Sequence, residues 1–166
     1  MKKQHGFTLI EVLLYIVLSG MLLVVLVSLF TLSLNSRQKN QTITEVDQQG
    51  AAALEQITAA LRSATAFTAP ATGVTANSLT ITVPTASLSP TVISLSGSTL
   101  QIKEGTATAV PITNSRVVVS NLSFQNLSRA STAGVMQVSF TVSHLNSLNR
   151  NEFEYQKTFT TSVARE

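Results

Sequence analysis

Glu11 is a lone acid near the start of a long apolar stretch at the beginning of the chain. Lys2 and Lys3 precede that stretch, and Gly6 and Phe7 stand at its edge. An acid at the centre of a membrane-spanning helix costs roughly 3 kcal/mol of insertion free energy, which a neutral residue would avoid. The carboxylate of Glu11 therefore requires a chemical explanation, which depends on the helix that carries it.

The apolar stretch from Phe7 to Leu34, called the anchor segment below, is long enough to cross a membrane. Its residues, about 28 in number, measure about 42 Å as an α-helix, and a hydrocarbon core is roughly 30 Å thick. Its Leu, Ile, Val and Phe residues outweigh one acid, so Glu11 does not prevent insertion. Positive charge at Lys2 and Lys3, with no charge after the stretch until Arg37 and Lys39, predicts a cytoplasmic N-terminus.

A cleaved secretory signal peptide is the first alternative for this region. Such a peptide has an apolar core of about 7–15 residues followed by a small-residue cleavage site. The anchor segment is about twice as long, and the chain continues past it as LFTLSLNSRQKN. The small residue, Gly6, precedes the stretch, so we expect the anchor segment to stay in the mature protein.

The stretch GFTLIEVLL, from Gly6 to Leu14, resembles the processing site of type IV pilins and of the pseudopilins of type II secretion and DNA-uptake machines. In that family a membrane aspartyl peptidase cuts after the glycine and methylates the new terminal amine. The resemblance implies cleavage between Gly6 and Phe7 and N-methylation of Phe7, with Lys2 and Lys3 holding the leader in the cytoplasm. Glu11 matches the family's acid, four residues past the new terminus.

The resemblance is close over roughly the first third of the chain and extends to the rest only in general layout. Gly20 matches a glycine common in these helices, whereas Ser28 stands where many major pilins carry a proline. Many Gram-negative pilins also have a C-terminal disulfide, and this chain has no cysteine. These departures favour a minor pilin or pseudopilin.

The family offers a physical account of Glu11. The free amine of Phe7 would be largely positive at neutral pH, and its attraction to a carboxylate grows as the surroundings become less polar. Pairing of Phe7 in one subunit with Glu11 of another would set the register of packed helices. An intrachain contact, since residues four apart share a helix face, and a protonated acid near the headgroups both remain open.

Composition gives little sign of a charged partner. The chain has 166 residues with a formal charge of +3, and loss of Lys2 and Lys3 would leave nine basic against eight acidic side chains. The basic character is therefore partly a property of the leader and is no evidence for nucleic acid.

Residues 35–65 predict an amphipathic helix that continues the anchor segment. Apolar or small residues recur there every three or four positions, which marks one helical face. We expect a single rod from Phe7 to about Ala64, some 85 Å long, with a break near Asn35 and Ser36 as the alternative. The predicted buried stripe is Ile43, Val46, Gly50, Leu54, Ile57, Leu61 and Ala64.

Residues 66–166 predict a β-rich globular head. Alternating residues mark strands at 79–83 and 136–142, and Ser96-Gly97 is a hairpin turn candidate between 91–95 and 98–103. A longer β-rich run covers 116–127. The last strand, with Phe153, Tyr155, Phe159 and Val163 on one parity, should pair antiparallel with the strand before it. The expected fold class is α+β, with the amphipathic stripe covering one face of an antiparallel sheet.

Residues typical of catalysis or metal binding form no motif. His5 lies in the leader, and His144 ends a strand without a nearby acid in sequence, so we expect it to face solvent. Glu152 and Glu154 alternate with aromatic residues, which indicates a solvated strand face. Phosphate-loop, paired-histidine and nucleophile-elbow motifs are absent from the sequence. We therefore expect neither an enzyme nor a cofactor or metal site.

Some pilus systems import DNA, so a nucleic-acid partner is an alternative for the head. The basic residues of the head are scattered, without the aromatic interleaving of stacking sites, and we interpret them as solubilising charge. Only convergence of Arg129, Arg150 and Lys157 would create a weak, salt-sensitive patch.

The resulting prediction is a pilin-like filament subunit that is anchored in the bacterial inner membrane with its head outside the cytoplasm. The implied partners are other pilin or pseudopilin subunits, the prepilin peptidase, the assembly platform and its ATPase, and lipid before assembly. The alternative is a single-pass protein whose β domain binds a ligand without filament assembly. The expected organisation is a leader at 1–6, the anchor segment at 7–34, an amphipathic helix at 35–65 and a head at 66–166.

Overall fold

The computed structural model describes residues 8–129 and 134–165. One helix, α1 (Leu9–Arg62), runs for 54 residues and is followed by strands. The predicted α+β class is confirmed. The helix continues through Asn35 and Ser36, so the alternative of a break there is not what the structure shows. The chain divides into an N-terminal unit that ends at Asn40 and a C-terminal unit that begins at Gln41.

Within the C-terminal unit, α1 buries one face against strands. The spacing of three and four follows the helical period, as the sequence predicts. Ile43 and Leu54 from the predicted stripe are only half-buried, because the buried face is centred on Thr42 and Ala53 instead. The residues of α1 that are buried are Thr42, Val46, Gly50, Ala53, Ile57 and Leu61.

The strands form two antiparallel sheets, where the sequence suggested one. The five-stranded sheet has the order β1 (Ala66–Ala69), β3 (Leu79–Thr82), β4 (Thr91–Ser96), β5 (Thr99–Glu104) and β6 (Val110–Pro111). The four-stranded sheet has the order β2 (Thr75–Ala76), β7 (Val117–Asn126), β8 (Val135–His144) and β9 (Gln156–Ala164). Short 3₁₀ helices cover Ala86–Leu88 and Asn151–Phe153.

Two predicted hairpins are present. Strands β4 and β5 pair from Thr91 with Glu104 to Ser96 with Thr99, and Gly97 supplies the positive φ of +61° that the tight turn needs. Strands β8 and β9 pair without irregularity from Val135 with Ala164 to Ser143 with Gln156.

The end of the chain differs from the prediction in one respect. Phe153 and Tyr155 precede β9 instead of lying in it, and Phe153 belongs to a 3₁₀ helix. The ring of Phe153 stacks on the imidazole of His144 with centroids 5.2 Å apart, which holds it in the connection between the strands. The interpretation of Glu152 and Glu154 as a strand face is therefore wrong.

The core lies between the helix and the inner faces of the sheets. Along β8 the fully buried Met136, Val138, Phe140 and Val142 alternate with the part-exposed Gln137 and Ser139, as one buried face requires. Other fully buried side chains include Ile57, Leu61, Leu79, Ile81, Ile93, Leu100 and Phe124.

Candidate functional site

Glu11 lies in the first turn of α1. The amides of Glu11 and Val12 donate to the carbonyl oxygen of Thr8, at 3.1 and 3.2 Å, and so close that turn. A carboxylate at this position is stabilised by the positive end of the helix dipole, typically by about 0.3–1 kcal/mol. The other predicted site residues, Lys2, Lys3, Gly6 and Phe7, lie outside the described residues, so the pairing of Phe7 with Glu11 stays a prediction.

The N-terminal unit exposes its apolar side chains. From Leu9 to Leu34 the large hydrophobic side chains are between 45% and 80% exposed. This part of α1 is long and apolar enough to cross a membrane, and soluble monomers rarely expose contiguous apolar patches above a few hundred Å². Lipid or packed helices of other subunits would cover a surface of this kind.

Two serine hydroxyls within this apolar helix donate to its own backbone. Ser19 donates to the carbonyl of Ile16 at 3.0 Å, and Ser28 donates to that of Val24 at 2.9 Å. Each bond satisfies a hydroxyl donor that lipid could not satisfy. The helix is continuous through Ser28, the position where many major pilins carry a proline.

Gly20 has open space beside its Cα among the described residues. A Cβ built on this residue finds nothing within 4 Å. Packing inside the subunit therefore gives no reason for glycine here, whereas close approach of a second helix would give one.

The C-terminal unit carries a polar network around Glu45. Its carboxylate accepts from the Nδ2 of Asn114 at 3.0 Å and pairs with the Nε of Arg116 at 3.2 Å. The Nε2 of His144 lies 3.8 Å from the second oxygen of Glu45. His144 is only 13% exposed at its side chain, so the prediction that it faces solvent without a nearby acid is wrong. No sequence signal links Glu45 and His144, because the fold joins residues far apart in the chain.

Strand β9 is fastened to the helical side of the molecule at three levels. The Nζ of Lys157 donates to Asp47 at 3.0 Å, Phe159 packs on Gly50, and the guanidinium of Arg165 donates to the carbonyl of Thr65. The hydrogen bond and the charge of Asp47 raise the pKa of Lys157 above its usual value. In a chain without cysteine, these contacts and the pairing with β8 hold the C-terminal strand.

The three basic residues of the suggested nucleic-acid patch are spread through the C-terminal unit. Arg129 precedes β8 and Arg150 follows it, and a ten-residue strand spans about 30 Å. Arg150 pairs with Glu152, and Lys157 pairs with Asp47. Because each of these two cations has its own acid, the arrangement does not favour a shared phosphate site.

A shallow depression of about 380 Å³ adjoins the network around Glu45. His144, Phe153 and Tyr155 form part of its wall, with Ser143, Glu154 and Gln156. Both nitrogens of the His144 ring already have neighbours, namely Glu45 and, 3.0 Å from Nδ1, the carbonyl of Leu145. The histidine therefore supports local structure.

Comparison with known proteins identifies the start of the chain. Residues 1–27 match the family model described as the prokaryotic N-terminal methylation motif. No curated protein and no solved structure matches the chain. The match covers Lys2, Lys3, Gly6, Phe7, Glu11 and the first part of the exposed apolar helix. The chain thus carries the prepilin-type N-terminal signal that type IV pilins and pseudopilins share.

Proposed function

We propose that this protein is a structural subunit of a type IV pilus or a type II secretion-like filament, in the role of a minor pilin or pseudopilin. The observation that carries the proposal is the exposed apolar helix, with one acid in its first turn, whose first part lies within a prepilin-type signal. No catalytic role forms part of the proposal. The absence of cysteine and the presence of Ser28 in place of proline support a minor subunit.

The proposed sequence of events begins in the inner membrane. Lys2 and Lys3 keep the leader cytoplasmic while the head lies on the other side. Prepilin peptidase cuts between Gly6 and Phe7 and methylates the amine of Phe7. The assembly platform and its ATPase then move the subunit into the filament, where neighbouring helices replace lipid around the apolar surface.

Glu11 has a defined part in this last step. Its carboxylate pairs with the amine of Phe7 on a neighbouring subunit and aligns the two helices. Leaving a buried charge without its partner costs about 3–5 kcal/mol, and each 1.4 kcal/mol is a factor of about ten in an equilibrium constant. A neutral residue at position 11 should therefore reduce the filament-bound fraction at least about tenfold.

The test compares Glu11→Gln with Glu55→Gln, which changes an exposed glutamate of the same helix. Both variants should appear in the membrane fraction at the wild-type level and should be processed. Only Glu11→Gln should be lost from sheared filaments, measured by quantitative immunoblotting. Wild-type incorporation of Glu11→Gln would refute the pairing.

The second candidate is a single-pass protein whose β domain binds a ligand. The depression beside His144, Phe153 and Tyr155 is the observation that favours it. Under this alternative Glu11 serves only the dipole of its own helix, and the protein would not enter filaments even with Glu11 intact.

A further inference from the structure

The connection between β8 and β9, residues 145–155, presents two leucines to solvent, and we call it the leucine loop. Leu145 is 51% exposed and Leu148 is 75% exposed. Both lie among polar residues, in the stretch LNSLNRNE. Neither leucine belongs to the hydrophobic core, and the two lie three residues apart in one loop.

The loop is held in shape by its own hydrogen bonds. The Nδ2 of Asn146 donates to the carbonyl of Arg150, and the amide of Arg150 donates to the Oδ1 of Asn146, both at 2.9 Å. Asn149 takes the left-handed conformation with φ of +49°. Leu148 thus stands at the apex of a closed five-residue turn, and little conformational entropy remains to be lost when it binds something.

The base of the leucine loop is attached to the helix. Phe153 stacks on His144, and the guanidinium of Arg150 lies over the Phe153 ring, 5.4 Å from its centroid. The Nε2 of His144 lies 3.8 Å from the carboxylate of Glu45 on the helix. The amide of Leu145 also donates to the carbonyl of Arg116 at 2.7 Å. These contacts fix the direction in which the two leucines project.

The loop lies at the end of the C-terminal unit where the chain enters from the anchor segment. Strand β9 runs along the helix in the same direction, since Lys157 meets Asp47, Phe159 meets Gly50 and Arg165 meets Thr65. The turn before β9 therefore lies at the Gln41 end. Thr42 is already 2% exposed, so the unit covers its helix from the outset.

Chain connectivity keeps this end near the membrane boundary. Between Leu34, the last residue of the anchor segment, and Thr42 the backbone spans about 12 Å as α-helix and at most about 28 Å when fully extended. The headgroup region adds roughly 5–7 Å on each side of the hydrocarbon core. With the connection helical, as it is in α1, the C-terminal unit begins about 12 Å along the chain from the end of the anchor segment.

We propose that the leucine loop is a lipid-contact element, which inserts Leu145 and Leu148 among the headgroups of the membrane that holds the anchor segment. Arg116, which pairs with Glu45, lies at the same end of the unit, and its side chain is 73% exposed. Apolar side chains at such an interface enter about 5–10 Å. The contact would hold the head against the membrane before assembly and would be released when the subunit leaves the lipid. This inference rests on the proposed membrane anchoring.

The chain is well suited to a direct test, because it contains no tryptophan. Three single-tryptophan variants of the full chain, Leu148→Trp, Val74→Trp and Phe30→Trp, would be placed in nanodiscs whose lipids carry bromine on the upper acyl chain. Val74 is a matched control because it is an exposed apolar residue, at 49%, that accepts from the amide of Asn126 at the opposite end of β7. Phe30 reports on the anchor segment itself.

We expect bromolipid quenching and a blue-shifted emission at positions 148 and 30, with a loss of fluorescence several-fold greater at 148 than at 74. Quenching at 30 alone would overturn the loop contact and leave the anchoring intact. Quenching at none of the three would overturn the anchoring and the loop contact with it. A blue-shifted emission at position 148 without bromolipid quenching would indicate that the loop contacts a second copy of the chain. Equal quenching at positions 148 and 74 would show that lipid does not prefer this end of the C-terminal unit. Both results would overturn the proposal.

Discussion

Replacement of Gly50 by alanine tests how the helix packs on the four-stranded sheet. A Cβ at Gly50 would lie 2.1 Å from the Cε2 and 2.2 Å from the Cζ of Phe159, whereas carbon atoms in contact are about 3.5–4.0 Å apart. The ring would have to move by about 1.5 Å to restore ordinary contact. Phe159 stacks on the fully buried Phe140 with centroids 5.6 Å apart, which restricts that movement.

Two effects of opposite sign then compete. Overpacking a core costs about 1–3 kcal/mol, and alanine gains up to about 1 kcal/mol over glycine inside a helix. Because the overlap is deep, the overpacking cost should lie in the upper part of its range. We expect Gly50→Ala to lower the free energy of unfolding by about 1–2 kcal/mol.

The assay is urea unfolding of the detergent-solubilised full chain, followed by the β-sheet circular dichroism. Ala51→Gly, at the exposed neighbouring position, measures the helix-propensity effect by itself. In a Phe159→Leu background the smaller side chain should reduce the cost of Gly50→Ala, giving a coupling free energy in the double-mutant cycle. The reasoning fails if Gly50→Ala stabilises the protein by as much as Ala51→Gly destabilises it.

Two further predictions concern the polar contacts of the C-terminal unit. Glu45→Gln removes the charged partner of Arg116 and His144 and should lower the free energy of unfolding, measured with urea, by about 1 kcal/mol. The control Glu55→Gln should change it by less than about 0.5 kcal/mol. Equal effects of the two variants would contradict a stabilising role for the Glu45 network. The raised pKa of Lys157 means that its pairing with Asp47 stabilises the fold fully below the usual lysine value of 10.5 and is lost as pH rises through the higher folded-state pKa. Across that alkaline range the free energy of unfolding, measured with urea, should fall more steeply with pH in the wild type than in Lys157→Met. Identical slopes would show that the pair contributes nothing to stability.

Local patterns predicted the elements whose burial follows one period. Val46, Gly50, Ile57 and Leu61 are spaced for one helical face, and they are buried. Gly50 lies in that stripe, and the ring of Phe159 occupies the space where a Cβ would stand. Alternation along β8 likewise predicted its buried side correctly, because period two is set by strand geometry alone.

Arrangements that depend on distant partners could not be predicted in this way. Strands β1 and β2 are close in sequence yet join different sheets, since alternation specifies the buried face of a strand and not its neighbour. Phe153 matched the parity of β9 but stacks on His144 in the preceding connection. The contact of His144 with Glu45 exists only after the last hairpin has docked on the helix.

The central claim is that proteolysis creates the α-amine of Phe7, the cation with which Glu11 pairs. Intact-mass and N-terminal peptide mass spectrometry of the protein purified from its own membrane tests this most directly. The expected mature chain begins at Phe7 and carries one methyl group on its amine. A chain that still begins at Met1 or Lys2 would contradict the account, because no amine would then stand four residues before the acid.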